Sequence, residues 1–227
     1  WGDQPFTVGP VYIGAFVCFL FILGLFYVKG PVKWGLLAAT LLSLFFAWGK
    51  NIGVTDFFID HLPMYAKFRT VSSALVIAEF TMPLLAVLCL YEISRNKQLF
   101  NLTSWKGAPL CKRIGLPVAS VLTLGLSLLL WVAPGVAGDC ISTADMQTFD
   151  MMRQAGFPAD LIGRYMAAIT SMHHAILSAD ALRSACIIVL GMLVLWAYAT
   201  DKLKGWMCCS LLALICLADL WQIDKRY

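Results

Sequence analysis

The stretch VSSALVIAEFTMPLLAVLCLY, Val71–Tyr91, carries a single charge, Glu79, in a run long enough to cross a bilayer. A helix needs about 20 apolar residues to traverse a hydrocarbon core roughly 30 Å thick. Working outward, the same uncharged pattern recurs over Gln4–Val28, Trp34–Gly49, Ile114–Gly138, Ser184–Thr200 and Gly205–Ala218. The second and last of these are short, but Trp34, Trp48, Trp206 and Trp221 stand at their ends, where interfacial rings extend a span. Across the chain 60% of residues are hydrophobic and 13% charged, about half the charge of a soluble domain. These observations predict an all-α, polytopic transmembrane helical bundle of about six spans, forming one domain over residues 1–227.

The charges outside the spans are unevenly placed. Lys29, Lys33, Arg95, Lys97, Lys106, Lys112, Arg113, Lys202 and Lys204 fall in three alternate loops, which hold only two acids, Glu92 and Asp201. Basic loops face the cytoplasm. Both chain ends, the segment before Val71 and the long loop after Gly138 are therefore expected on the outer side. The net charge of +4 is this asymmetry summed, and no nucleic-acid partner is implied. Of the eight cysteines only Cys140 lies on the outer side, so no disulfide framework is expected, and no metal-ligand spacing is present. The chain begins at Trp1 without a signal-peptide pattern and ends at Tyr227, just after a span, which suggests a middle or C-terminal piece of a larger membrane protein.

Immediately before Val71 lies a polar island, GKNIGVTDFFIDHLPMYAKFR, Gly49–Arg69. Thr55 can cap a short helix over Asp56–Leu62, ended by Pro63, with Asp56 and Asp60 on one face and Phe57, Phe58 and Leu62 able to sink into the interface. The acids could coordinate a divalent cation or act as a base. Lys67 and Arg69 could hold a phosphate, Arg in bidentate fashion. The competing reading is an ordinary interfacial loop whose basic residues meet lipid phosphates, with Arg69 a snorkelling anchor. Glu79 is expected about 12 Å below the outer end of its span, where a carboxylate faces the bundle interior or a wet cavity. It would serve as a relay or cavity wall, or simply as a neutral, hydrogen-bonded acid.

The outer loop, 139–180, predicts two amphipathic helices. Ser142 caps the first, which stops at Gly156, and Pro158 opens the second, with an apolar stripe of Ile162, Tyr165, Met166, Ile169, Met172 and Ile176. It leads into a span expected over Leu182–Tyr198. His173 and His174 point about 100° apart on a helix and read as a solvated face rather than a metal site.

Three segments, GDQPFTVGPVYIG (2–14), TDFFIDHLPMYAKFRTVSSALVIAEF (55–80) and ADLWQIDKRY (218–227), resemble the YfhO-type bacterial membrane proteins, in the same order along the chain. That family is similar to GT-C glycosyltransferases, which move a sugar from a polyprenyl-phosphate donor to an acceptor on the outer face of the bacterial inner membrane. The resemblance implies a membrane portion of such an enzyme acting on envelope glycans, with lipid, lipid-linked donor and glycan acceptor as partners. It makes Met64–Arg69 part of a cavity rim, where Arg69 and Lys67 hold donor phosphate and Asp56, Asp60 and Glu79 contribute. The catalytic acid of that class sits in a first outer loop to which no residue here corresponds. Two other readings stand beside it: a transporter or flippase with Glu79 as coupling carboxylate, and a non-catalytic membrane scaffold.

Overall fold

A computed structural model describes residues 11–47, 71–100 and 110–225. The island, with Asp56, Asp60, Lys67 and Arg69, lies outside the described residues. Within them the chain is helical and has no strand. In order come α1 (Ala15–Tyr27), α2 (Val32–Ala47), α3 (Leu75–Arg95, entered through a 3₁₀ turn at Val71–Ala74), α4 (Leu110–Ser120), α5 (Leu126–Val132), α6 (Thr143–Gln154), α7 (Ala159–Ala199) and α8 (Gly205–Asp224). A π-helical turn, Val121–Gly125, joins α4 to α5. Four helical stretches are long and apolar enough to cross a membrane: Leu75–Arg95, Arg113–Val132, Ala159–Ala199 and Gly205–Asp224. The other two expected spans correspond to the shorter apolar helices α1 and α2.

Shorter than α2 and than the four membrane-length stretches, α1 is nevertheless the centre of the bundle. It is hydrophobic on every side, so it is stable only where neighbours surround it. Phe16, Phe19, Leu20, Leu23 and Tyr27 are buried, against α3, α4 and α7 above all. Close approach depends on small residues, the usual device where lipid offers no hydrophobic drive to association. A Cβ on Gly24 would stand 3.1 Å from the Leu85 carbonyl of α3. One on Gly191 of α7 would stand 2.2 Å from the Phe16 ring, and one on Gly115 of α4 would stand 2.7 Å from Phe26 Cβ. The outward faces carry Val76, Phe80, Val87, Leu122, Leu126, Leu190, Leu193, Leu214 and Leu217, all exposed, an apolar surface far beyond what water tolerates.

A polar seam ties α2 to α3. Thr40 and Thr81 share a hydrogen bond of 2.7 Å, and Ser43 Oγ donates to the Ala74 carbonyl at 2.6 Å while accepting from Ala78 N–H at 3.3 Å. At one end of the bundle the basic loops meet. Tyr27 Oη donates to the Leu99 carbonyl at 2.8 Å, Lys97 pairs with Asp201 and lies 4.7 Å from the Tyr198 ring, and Lys33 Nζ donates to the Leu25 carbonyl at 2.7 Å.

At the other end the expected first amphipathic helix is α6. Its N-terminus is a capping box: Ser142 Oγ accepts from Asp145 N–H, and Asp145 accepts from Ser142 N–H. It stops in a Schellman arrangement, with Gly156 at φ +82° and Phe157 N–H bonded to the Met152 carbonyl. The second amphipathic helix and the next span are not separate elements. They form the single 41-residue α7, about 60 Å long. Nothing between Asp180 and Leu182 breaks it, because this junction holds no proline or glycine. Of the expected stripe, Ile162 is buried and Met166 and Ile169 are half-buried, whereas Tyr165, Met172 and Ile176 are exposed. The covered face is rotated toward His173 and His174.

Candidate functional site

Helix α1 begins at Ala15, well inside the uncharged window that starts at Gln4. Gly14, at φ +100°, turns the non-helical entry segment, Val11–Ile13, into the helix. With 13 residues α1 is about 20 Å long, shorter than the hydrocarbon core. The first N–H groups of a helix have no partner within it, and an unsatisfied one is costly in apolar surroundings. Asp219, from α8, meets this need. Its Oδ2 accepts from Ala15 N–H at 3.0 Å, and Tyr12 Oη lies 3.0 Å from Oδ1 and 2.9 Å from Oδ2. The carboxylate is 2% exposed and complements the positive end of the helix dipole.

Arg183 of α7 completes the cluster. Its Nε stands 3.8 Å from Asp219 Oδ1, its Nη1 stands 3.7 Å from Asp180 Oδ1, and its Cζ lies 5.7 Å from the Tyr12 ring. Both nitrogens are buried, and among the described residues neither has a hydrogen-bond partner within normal range. A buried donor left unmade costs about 1–3 kcal/mol, and the guanidinium meets its two carboxylates only at 3.7 and 3.8 Å. Three helices and the entry segment thus converge on one carboxylate. Asp219 and Arg183 were missed as site residues because each bounds an apolar window and reads there as a span end. The signal was present: an ionisable residue inside a span, between Ala218 and Trp221, marks a site by default.

Glu79 is placed differently from its expectation. Ala78, Thr81 and Leu85 form the face of α3 turned inward, and Glu79 lies about 100° beyond Ala78, among the exposed Val76, Ile77 and Phe80. It is exposed and does not face the bundle interior. Pro83, four residues on, has no N–H to offer the Glu79 carbonyl. Lys67, Arg69, Asp56 and Asp60 lie outside the described residues, and so does any contact they make with Glu79.

His173 and His174 do more than decorate a solvated face. His173 Nδ1 donates to the Cys140 carbonyl and His174 Nε2 to the Gly138 carbonyl, each at 2.8 Å. The two rings, diverging around the helix, pin two points of the loop that leads into α6. Ser178 Oγ adds a third tie, to the Trp131 carbonyl at 2.9 Å. Beside this loop, the hydrogen bonds from Ser142 backbone and side chain hold the Asp145 carboxyl below its ordinary range. Among the described residues no three His, Cys, Asp or Glu side chains converge as a metal site.

Compared with known proteins, the chain matches no family model, no curated protein and no solved structure.

Proposed function

We propose that this chain is the membrane portion of a YfhO-like, GT-C-type glycosyltransferase that uses a polyprenyl-phosphate-linked sugar to modify envelope glycans from the outer face of the bacterial inner membrane. The observation that carries this reading is where its similar segments meet. Tyr12 lies at the close of the first segment and Asp219 near the start of the third, and the Tyr12 hydroxyl donates to the Asp219 carboxylate. The second segment ends on α3, in the same bundle. In this reading the basic loops would face the cytoplasm, and both chain ends and the island would lie outside.

In this reading Arg69 and Lys67 hold the donor's phosphate, with Asp56 and Asp60 at the rim. Glu79, exposed on α3, would meet the lipid-borne donor from the membrane side. The catalytic acid would come from elsewhere in a longer protein. The test is Arg69→Ala in the full-length protein, with sugar transfer measured from a polyprenyl-phosphate donor in membranes. A lost charge-assisted phosphate contact should lower transfer by about tenfold or more. Unchanged transfer by a normally expressed variant would overturn the phosphate-holding role.

A further inference from the structure

Asp219 has two claimants. The Tyr12 hydroxyl is nearly equidistant from both carboxylate oxygens, so it occupies the open mouth of the group. That mouth is where a guanidinium fork docks when it pairs bidentately with a carboxylate. Arg183 is close enough to want the position and is kept from it, at 3.8 Å, with Nε and Nη1 buried and unbonded. Asp180 offers it only another long contact, at 3.7 Å. Tyr12 itself is held by no helix. It belongs to the non-helical entry segment Val11–Ile13, which meets α1 through Gly14, whose φ of +100° is a conformation available to glycine and strained for other residues.

We propose that Asp219 is the seat of a two-position latch at this end of the bundle, independent of the reaction the protein carries out. In the position seen here, Tyr12 and Ala15 N–H hold the carboxylate and the first turn of α1 is docked. In the other, the entry segment swings on Gly14, Tyr12 leaves, and the Arg183 fork closes on Asp219. Because α1 is the central helix, releasing its first turn opens the bundle between α1, α7 and α8. Arg183 is thus a competitor of the docked state rather than a support for it.

The sign of one substitution tests this. Hydrogen exchange of the Ala15–Cys18 amides is measured on the full chain in phosphatidylethanolamine–phosphatidylglycerol nanodiscs. Tyr12→Phe frees the mouth and should speed exchange by about tenfold, the effect of one hydrogen bond. Arg183→Gln removes the competitor and should slow exchange below the wild-type rate. Arg183→Lys keeps the charge but not the fork, and should also slow it. The double variant Tyr12→Phe, Arg183→Gln should exchange more slowly than Tyr12→Phe alone. Faster exchange in both Arg183 variants, with α3 amides unchanged, would mean that Arg183 simply supports Asp219, and the latch would be refuted.

Discussion

Two carboxylates in this bundle invite opposite treatment. Asp219 is enclosed and accepts hydrogen bonds from Tyr12 and Ala15, whereas Glu79 looks outward among Val76 and Phe80. Removing Asp219 leaves a helix N-terminus and a phenol without their acceptor in an apolar setting. Asp219→Ala should therefore cost about 2–4 kcal/mol, read as a lower midpoint of thermal unfolding in detergent or nanodiscs. Glu79→Leu removes an exposed charge from a lipid-facing surface and should leave that midpoint unchanged or raised. Gly191 gives a third test at this scale, since a side chain there would enter the Phe16 ring. Gly191→Val should destabilise by about 1–3 kcal/mol, and Phe16→Ala in the same chain should recover part of the loss.

At the level of elements, local chemistry and tertiary need can be told apart. The boundaries of α6 were legible, because Ser142 and Gly156 act through bonds a few residues long. Ser142→Ala should cost about 1 kcal/mol of local stability, seen as faster exchange of the first amides of α6. Asp145, held below its ordinary range by Ser142, makes that end acid-sensitive. A depressed carboxylate stabilises fully above its unfolded value, and the benefit fades as pH falls through the folded one. Exchange at the start of α6, corrected for its intrinsic pH dependence, should quicken at the acid end, and Asp145→Asn should flatten the profile. The continuity of α7 was not legible, because its two halves carry different patterns, amphipathic then apolar, that read as two elements. The start of α1 was equally hidden: hydropathy runs smoothly through Val11–Gly14, and helix begins where Gly14 turns the chain and Asp219, across the bundle, accepts from Ala15 N–H.

Across the whole molecule, the class of fold follows from composition and spacing, while the site depends on residues more than 200 positions apart, such as Tyr12 and Asp219. No window along the chain contains both, so their meeting is a property of packing alone. The opposite end is joined by Tyr27 to Leu99 and by Lys97 to Asp201. The second contact is an exposed ion pair, screened by solvent and weakened by salt. A double-mutant cycle with Lys97→Ala and Asp201→Ala should give a small coupling that shrinks further in molar salt. Tyr27→Phe, which strips a buried carbonyl of its donor, should cost more than either.

The unbroken α7 has a consequence for how this chain can vary. Arg183, which stands beside Asp219, and His173 and His174, which pin the loop before α6, are indexed on one rod. Adding or deleting one residue between them would turn one set about 100° out of phase with the other and shift it about 1.5 Å along the axis. Substitutions there can be absorbed one at a time, but a change in length cannot. This eight-residue stretch, 175–182, should therefore behave as a fixed-length gauge.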